Sequence, residues 1–405
     1  MFLISIDCLR PDYVGAYNRL RRQTPTIDGI AAEAVLFTEA VCHATFTTPA
    51  VASLLAGAYP PRTGVRLLLG QLCEPTITTV AEYARRAGLT TGGFPSNFIL
   101  NSPTGLSRGF DYYRDVVDGH RSGRGGCWQT GDQLNAALDR FLTDAGQQPV
   151  FCWLHYFDLH DYHVDRTVPI HTSYPRDLRD RIDAECLGEF QTVLRRHHRL
   201  DGAAIILTAD HGECLMQHGE RGHGHHVYDS VLRVPLIWRW PGLTGDPRQI
   251  DQQVRHVDIL PTLLDLWGIP RGEWPADLDG RSLVPLMRGE SMEPATSYAE
   301  ASPRQLFQGD IKAIKQFAGP EMQAIRTEEF KYIVHDNGDR ELYALRTDPL
   351  EMANRVEAMP DVAEQMDGQL RDLLRGRESC FASAAIAPED EQLVVQRLRD
   401  LGYVA

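Results

Sequence analysis

The sequence predicts an α/β fold built on a doubly wound, mostly parallel sheet, followed by a small antiparallel α+β subdomain. Over residues 1–294, short apolar runs alternate with longer amphipathic stretches, as strands alternate with crossover helices. The apolar runs are nearly continuous, which is typical of parallel strands buried on both faces. Beyond residue 295, short alternating segments surround the turn sequence Asn337-Gly338-Asp339. We therefore divide the chain into a large domain, 1–294, and a C-terminal subdomain, 295–405.

Individual elements follow from the length and spacing of the apolar runs. Buried strands are predicted at residues 1–6, 34–41, 90–94, 149–157, 203–209 and 234–240. Helical spacing of apolar residues predicts helices at 50–57, 76–88, 131–146, 178–199 and 256–269. In the subdomain, the strand-like segments 296–302, 322–335 and 340–347 precede a helix near 361–375.

The composition excludes several classes of function. A net charge of −14 argues against a nucleic-acid groove. A small anionic substrate stays compatible with it, because a bound cation reverses the charge locally. The sequence contains neither a leader-like N-terminus nor an 18-residue apolar window, so we expect no membrane span. The eight cysteines are scattered without a CxxC motif, which predicts reduced thiols and a cytoplasmic location. No sequence signature indicates the oligomeric state.

Thr47 and Thr48 directly precede Pro49 and an apolar helical run. One interpretation is structural, because Thr is favoured as a helix N-cap and Pro at the first helical position. The other interpretation is chemical. A hydroxyl at a helix N-terminus lies among unpaired N–H groups in a positive field, where an anionic ester binds. The two threonines alone leave both interpretations open.

Further polar residues lie at the ends of predicted strands. Asp7 ends the first strand, Asp210 and His211 end the strand at 203–209, and Thr47 follows the second strand by a short loop. In a doubly wound sheet, ligands bind beyond the carboxyl ends of the strands. Carboxylate and imidazole donors together with a hydroxyl suit Mn, Zn or a similar divalent ion. An Asp at one strand end could also cap the next helix.

Histidines cluster in two short loops at predicted strand ends. Seven of the fifteen lie there: His155, His160, His163, His218, His223, His225 and His226. The second loop is rich in Gly, which favours a loop that folds over a ligand. A His-rich loop that stores metal separately is the alternative interpretation.

Several sequence blocks follow one another in the order of a known family. They are IDCLRPD (6–12), TTPAVASLLAGAYPPRTGV (47–65), LHYFDLHDY (154–162), TADHGE (208–213), RVPLIWRWPG (233–242) and AIRTEEFKYIVH (324–335). Together they resemble the sulfatase family of the alkaline phosphatase superfamily over nearly the whole chain. The resemblance implies an alkaline-phosphatase-like fold, a divalent metal ion and a small anionic ester as substrate.

The chain departs from that family at the nucleophile position, at the partner Arg and in the opening metal-binding motif. Sulfatases carry a Cys or Ser that is oxidised to formylglycine, where this sequence has Thr47. The position of the partner Arg holds Val51, and the second Asp of the opening motif is replaced by Cys8. Thr is not a substrate of that oxidation, so the resemblance implies an unmodified secondary alcohol. The resemblance also implies one divalent ion (Mn, Zn or Ca), with Asp7, Thr47, Asp210 and His211 as its ligands.

The resemblance also implies roles for three other side chains. His160 and His223 match positions around the transferred group and would stabilise charge and protonate the leaving group, while Asn97 matches a substrate contact. We expect a hydrolase or phosphotransferase that cleaves a phosphodiester, a phosphonate or a phosphate monoester through a covalent Thr47 intermediate. A formylglycine-independent sulfatase and a catalytically silent anion-binding relative are the alternatives. The roles of His155, His163, His218 and His225 stay open.

Overall fold

A computed structural model describes residues 1–18, 20, 23–68, 70–72, 77–116, 128–163, 168–244, 247–276, 278–302 and 319–375, with backbone alone at 161–163. In chain order its strands are β1 (Phe2–Ile6), β2 (Val35–Val41), β3 (Thr90–Pro95), β4 (Tyr112–Tyr113), β5 (Val150–Tyr156), β6 (Ile205–Ala209), β7 (Cys214–Leu215), β8 (Arg221–Gly222), β9 (Arg233–Arg239), β10 (Arg248–Ile250), β11 (Val254–Arg255), β12 (Ser297–Ala301), β13 (Met322–Arg326), β14 (Phe330–His335) and β15 (Arg340–Ala344). All six strands predicted for the large domain are present among them.

The large sheet contains nine of the described strands, in the order β10-β2-β9-β6-β1-β5-β3-β4, with β11 also paired to β2. Every pairing is parallel except those of β9, which runs antiparallel to both β2 and β6. The predicted mostly parallel sheet is therefore confirmed. The central strand β1 lies between β5 and β6 and is buried along its whole length. Its carboxyl end opens onto the site described below.

Helices cover the sheet and connect its strands. They are α1 (Pro25–Ala31), α2 (Thr47–Ala56), α3 (Pro60–Thr63), α4 (Val80–Arg86), α5 (Gly131–Ala145), α6 (Ile170–Asp177), α7 (Gly188–Arg196), α8 (Asp229–Leu232), α9 (Ile259–Leu266), α10 (Val284–Met287) and α11 (Pro360–Leu374). A π-helical stretch, Leu178–Leu187, joins α6 to α7, so the helix predicted at 178–199 is part of a longer helical segment. Within the described ranges, no helix is both long and apolar enough to cross a lipid bilayer.

The start of α2 corrects the expectation that Thr47 or Thr48 caps this helix. The N-cap is Phe46, which has an extended backbone and no capping side-chain bond, and its carbonyl accepts the N–H of Ala50 at 3.1 Å. Thr47 is therefore the first helical residue and Pro49 the third. The Thr48 hydroxyl donates instead to the carbonyl of Ile99 at 3.1 Å. Since Thr47 is not engaged in capping, its hydroxyl is available to other groups.

The C-terminal residues form an antiparallel sheet, β12-β13-β14-β15, on which α11 packs. This sheet is joined to the large domain through the loop before α2. The carbonyl of His43 accepts the N–H of Glu300 at 3.1 Å, and a ring nitrogen of His43 hydrogen-bonds the carbonyl of Tyr298 at 2.8 Å. Tyr59 packs in the core of the C-terminal sheet beside Tyr298. The described part of the chain thus has no clean break at residue 294, and the predicted boundary stays a prediction.

A buried ion-pair group provides a second connection. The Lys331 ammonium on β14 is fully buried, pairs with Asp229 and with Glu351 (2.6 Å), and donates to the carbonyl of Val227 at 3.1 Å. Val227 and Asp229 follow the predicted His-rich loop directly. The C-terminal sheet therefore fixes the far end of that loop.

Candidate active site

Five polar side chains meet beyond the carboxyl edge of the large sheet. Asp7 follows β1 directly, and Asp210 and His211 follow β6. Thr47 reaches the same edge through the loop 42–46, and His155 lies in β5. All five are fully buried. Because β1, β5 and β6 are adjacent and parallel, their ends bring these residues together, as expected for a doubly wound sheet.

Asp7 is the centre of this group. Its Oδ2 accepts a hydrogen bond from Thr47 Oγ1 at 3.2 Å and lies 3.5 Å from His155 Nε2. Thr47 Oγ1 is also 3.4 Å from His211 Nε2, which in turn is 3.4 Å from Asp210 Oδ2. A hydroxyl, two carboxylates and two imidazoles therefore face one another.

Backbone groups orient the two residues that follow β6. His211 Nδ1 lies 2.9 Å from the carbonyl oxygen of Gly212. A carbonyl only accepts, so Nδ1 carries the proton and the neutral ring presents a lone pair at Nε2, as metal-ligating histidines do. Asp210 Oδ1 accepts the N–H of His211 at 2.8 Å, which leaves Oδ2 directed at the shared space.

This donor set fits a divalent cation. Adjacent ligands of an ion with bonds of about 2.1 Å lie about 3.0 Å apart in octahedral and about 3.4 Å apart in tetrahedral geometry. The four separations given above, 3.2–3.5 Å, are close to these values. In the described part of the chain, Asp210 Oδ2 and His155 Nε2 are also buried without a hydrogen-bond partner. A cation would satisfy both atoms.

The two carboxyl groups have opposite electrostatic environments. For Asp7, burial acts to raise the pKa, but the contact with His155 and the charges of His160 and His211 outweigh it and hold the pKa far below its usual value. For Asp210, burial and the negative charge of Asp7 raise the pKa. Two carboxylates that compete for positive charge in one buried space are typical of a cation site.

His160 and His223 lie together next to this group. The His160 ring stacks on Phe157 at 4.3 Å and is 5.3 Å from the His223 ring, which is 4.3 Å from the His211 ring. Only 5% and 6% of His160 and His223 are exposed, whereas Asp7, Thr47 and His211 are completely buried. Among these residues, only the two histidines keep any exposed surface.

Two neighbouring residues set the position and charge of His223. Glu213 Oε2 lies 3.1 Å from His223 Nδ1. Burial acts to lower the pKa of His223, but the Glu213 carboxylate outweighs it and the pKa is raised. The next residue, Gly224, has a φ of +88° and lies so close to Phe46 that a β-carbon there would be 2.2 Å from the ring. Glycine is thus needed to bring this loop against Phe46.

Cys8 lies between Asp7 and His223. Its backbone has a φ of +61°, a conformation uncommon outside glycine. Its Sγ donates to Asp7 Oδ1 at 2.8 Å and lies 3.5 Å from His223 Nδ1. Burial and the surrounding carboxylates raise the pKa of the thiol.

Of the remaining candidates, Asn97 follows β3 at the same edge of the sheet, and two histidines lie elsewhere. Asn97 Oδ1 accepts the N–H of Ile99 at 3.2 Å, while its Nδ2 is buried without a hydrogen-bond partner among the described residues. His218 stacks on Tyr228 at 3.9 Å, and His226 packs 4.8 Å from the same ring, so these two form a separate aromatic cluster. The side chain of His163 lies outside the described residues.

The family assignment rests on a match that covers two thirds of the chain. A family model described as Sulfatase matches residues 1–269. The chain belongs to the sulfatase family. A second model, described as N-sulphoglucosamine sulphohydrolase, C-terminal, matches residues 219–376 and so includes the antiparallel sheet. Thr47 and Cys8 are thus features of a sulfatase-family chain.

Relatives of this sulfatase-family chain include arylsulfatase K of Bos taurus, 31% identical over 195 residues, or 46% of this chain and 34% of the relative. The chain thus spans about a third of that protein. Delta 4,5-hexuronate-2-O-sulfatase of Bacteroides thetaiotaomicron is 23% identical over 415 residues, or 87% of this chain and 83% of the relative.

Solved structures share the fold. One is a putative sulfatase from Bacteroides thetaiotaomicron, with a TM-score of 0.76, 19% identity and coverage of 93% of this chain and 92% of that one. Another is the phosphonate monoester hydrolase of Agrobacterium radiobacter, with a TM-score of 0.74, 21% identity and coverage of 93% and 95%. The predicted alkaline-phosphatase-like architecture is therefore confirmed for this sulfatase-family chain.

Sequence reasoning missed three residues of the site in this sulfatase-family chain. Glu213 lies two positions after His211 in the block TADHGE (208–213). This proximity in sequence was the signal that could have identified it. His155 was a candidate without a role, and it lies in β5, which is buried along its whole length and so has no alternation that would mark it. Cys8 was considered only as the residue that stands in place of the family's second Asp. The direction of its side chain depends on a backbone conformation that the sequence does not reveal.

Proposed function

We propose that this chain is a metal-dependent hydrolase or phosphotransferase of small anionic esters, with Thr47 as its nucleophile. The observation that carries the proposal is the position of the Thr47 hydroxyl. It lies 3.2 Å from Asp7 Oδ2 and 3.4 Å from His211 Nε2, at the first residue of the ten-residue helix α2. The preferred substrates are phosphodiesters and phosphonate or phosphate monoesters.

Four residues would hold the cation together with the Thr47 oxygen: Asp7, Asp210, His211 and His155. Two imidazoles among the donors favour Zn or Mn over Ca, which prefers oxygen ligands. When bound, the ion supplies positive charge that lowers the pKa of the hydroxyl and withdraws electron density from the ester.

The chain's own residues perform the transfer. The Thr47 Oγ–H bond breaks and its proton leaves to solvent. The oxygen then attacks phosphorus in line, the bond to the leaving-group oxygen breaks, and that oxygen keeps the electron pair. The N–H groups of Thr47 and Thr48 at the start of α2, which have no intrahelical partners, hold the equatorial oxygens. Water or an acceptor alcohol then attacks phosphorus and releases Thr47.

His160 and His223 stabilise the charge of the transferred group and protonate the leaving oxygen. Their small exposed surface supports this role, because the leaving group must depart towards solvent. Glu213 favours the charged form of His223, as a proton donor requires. Asn97 Nδ2, which is buried without a hydrogen-bond partner in the described chain, contacts the substrate.

Sulfuric esters are the second candidate substrate class. Two relatives, arylsulfatase K and Delta 4,5-hexuronate-2-O-sulfatase, are named as sulfatases and favour it. The chemistry of Thr47 disfavours it, because a simple O-sulfate ester on Thr lacks the elimination route that a formylglycine hydrate provides. The phosphonate monoester hydrolase among the similar folds supports phosphorus chemistry.

A catalytically silent anion-binding protein is the third candidate. Replacement of the family's Cys, Arg and second Asp by Thr47, Val51 and Cys8 would agree with loss of activity. Against it stands the contact of Asp7 and His211 with the one hydroxyl, and of Asp210 with His211.

The test uses a panel of esters and two matched variants. Bis-p-nitrophenyl phosphate, p-nitrophenyl phenylphosphonate and p-nitrophenyl sulfate are assayed with added Mn or Zn. Thr47→Val removes the nucleophile, and Thr48→Val removes a neighbouring buried hydroxyl that bonds Ile99 instead. We expect Thr47→Val to lower kcat by about 10³-fold or more, while Thr48→Val keeps kcat and loses only about 1 kcal/mol of stability.

The outcomes separate the candidates. Preferential turnover of the phosphorus esters supports the main proposal, and preferential turnover of the sulfate supports the second. Activity that survives Thr47→Val ends the nucleophile assignment. If the wild-type chain holds metal but turns over no ester, the silent relative is favoured.

A further inference from the structure

Arg10 connects the loop that follows β1 to the hairpin formed by β7 and β8. It lies three residues after Asp7, and 7% of it is exposed. We infer that Arg10 is a positioning residue for leaving-group protonation, because it fixes the hairpin whose two ends carry Glu213 and His223. The inference rests on the proposed function, in which His223 protonates the leaving oxygen, and it adds a residue to which that function gives no role.

The Arg10 guanidinium has different partners on its two sides. On one side, Nε and Nη2 donate to the two carboxylate oxygens of Asp12, both at 2.9 Å. On the other side, Nη1 donates to the backbone carbonyl of Glu213 at 2.9 Å and to Gln217 Oε1 at 3.0 Å. The backbone N–H of Arg10 donates to the Tyr174 hydroxyl at 3.0 Å. A bidentate carboxylate pair fixes the plane of the guanidinium, so the direction of the Nη1 bonds is fixed as well.

The bond from Arg10 fixes the backbone of Glu213. This residue is fully buried, its N–H donates to the carbonyl of Ser230 at 2.9 Å, and its own carbonyl accepts from Arg10. With both backbone groups held, the carboxylate reaches His223 from a fixed origin, and Oε2 lies 3.1 Å from His223 Nδ1. The orientation of the His223 ring therefore depends on Arg10 through Glu213.

Arg10 also holds the hairpin near its turn. Gln217 Oε1 accepts the N–H of Leu215 at 2.7 Å in addition to the bond from Arg10. Both residues of β7 pair with β8, so a shift of β7 is passed on to β8, and His223 follows β8 directly. A displacement of about 1 Å between reacting groups costs about 10²-fold in rate. Loss of the Arg10 bonds should therefore slow the transfer of the proton.

This role has a signature that depends on the leaving group. Because Nδ1 of His223 faces Glu213, the proton comes from Nε2: the Nε2–H bond breaks and an O–H bond forms on the leaving oxygen. An acidic leaving group such as p-nitrophenol departs without this proton. Phenol, whose pKa is about 10 like that of tyrosine, needs it. A variant that misplaces His223 should therefore lose more rate on a phenyl ester than on a p-nitrophenyl ester.

The test compares p-nitrophenyl phenylphosphonate with phenyl phenylphosphonate, on the full chain with added Mn or Zn. Arg10→Lys keeps the charge but loses the planar fork of donors, and Gln217→Leu removes only the second of the two hairpin bonds. Arg239→Lys is the matched control. The Arg239 guanidinium also binds a carboxylate, that of Glu33 at 2.8 Å, together with backbone carbonyls. It pairs with Ile205 at the start of β6, at the opposite edge of the sheet from the site.

We expect the ratio of kcat/KM for the p-nitrophenyl ester to that for the phenyl ester to rise about 10-fold in Arg10→Lys. The rise should be smaller in Gln217→Leu and absent in Arg239→Lys. Arg10→Lys combined with His223→Gln should raise the ratio no further than His223→Gln alone, because Arg10 acts through His223.

Equal losses on both esters in Arg10→Lys and in Gln217→Leu would mean a purely structural role and overturn the inference alone, provided that His223→Gln raises the ratio. An unchanged ratio in His223→Gln overturns the proton-donor role in the proposed function, and the inference with it.

Hydrogen exchange measures the contact without turnover. The amides of residues 213–223 should exchange faster in Arg10→Lys than in the wild-type chain or in Arg239→Lys, and unchanged exchange overturns the inference independently of any activity. Thermal unfolding checks that each variant is folded. If Arg10→Lys does not fold, Gln217→Leu carries both measurements, because it alters a side chain that is only partly buried.

Discussion

The contact between Gly224 and Phe46 gives a sharp prediction, because it fixes the distance from His223 to the rest of the site. In Gly224→Ala, the new β-carbon would lie 2.2 and 2.3 Å from two carbons of the Phe46 ring, whereas ordinary van der Waals contact begins at 3.4 Å. The ring or the loop must therefore move by about 1.2 Å. Phe46 is buried and precedes Thr47 directly, so the loop that carries His223 is the part that gives way.

A displacement of about 1 Å between reacting groups costs about 10²-fold in rate, so we expect kcat/KM of Gly224→Ala to fall by about that factor. The backbone contributes a separate cost of about 1–2 kcal/mol in stability, because the φ of Gly224 is +88°. Gly219→Ala is the matched control. Gly219 has a φ of +76°, and a β-carbon there would have no atom within 4 Å.

The assay is steady-state hydrolysis of the best ester of the panel, with urea denaturation of each variant. Both alanine variants should lose stability through the backbone, Gly224→Ala the more because of the clash with Phe46, and only Gly224→Ala should lose turnover. Phe46→Ala combined with Gly224→Ala should recover part of the rate, because the ring that blocks the loop is gone. Equal rate losses in the two single variants would refute the reasoning, since they share the backbone strain and differ in the clash.

Three further outcomes are expected. Glu213→Gln removes the charge that raises the pKa of His223. The basic limb of the kcat/KM profile against pH, where the protonated ring is lost, should therefore move to lower pH. A limb that does not move would mean that another group titrates. Lys331→Met leaves the buried Glu351 without its cation, while Asp229 keeps its pair with Arg326, and should lower the free energy of unfolding in urea by about 3 kcal/mol. Arg371 forms an exposed ion pair with Asp367, so Arg371→Met should lower the free energy of unfolding by less than about 1 kcal/mol. An equally small loss in Lys331→Met would contradict this account. Removal of metal with a chelator should abolish turnover and lower Tm, and Mn or Zn should restore both; full activity in a chain shown to be metal-free would exclude a metal role.

The sequence was sufficient for most of the sheet but not for the direction of β9. Its apolar run predicts a buried strand equally well in either orientation, and the run occurs as expected at Arg233–Arg239. The antiparallel direction is set by where the loop after β6 returns to the sheet, which depends on long-range packing. The capping interpretation of Thr47 failed for a related reason. Phe46 takes the N-cap position because its ring packs beneath the His223 loop, far away in sequence.

The site residues that directly follow predicted strands were predictable from the sequence. Asp7, Asp210 and His211 follow strands β1 and β6, so the position of the strands alone places them at one edge. Cys8 and Glu213 were not assigned, because their contacts depend on side-chain direction. The φ of +61° at Cys8 turns its sulfur towards Asp7, and Glu213 reaches His223 across the loop. Neither direction has a periodic pattern in the sequence.

The bond from Glu300 to the carbonyl of His43 means that the segment just before Thr47 is held by the last third of the chain. A fragment that ended at residue 294 would expose this backbone edge and the buried His43 ring together. Domain shuffling among relatives would therefore have to exchange the C-terminal sheet along with the loop at 42–46. A change in either partner would therefore be transmitted through residues 42–46 to the Thr47 hydroxyl.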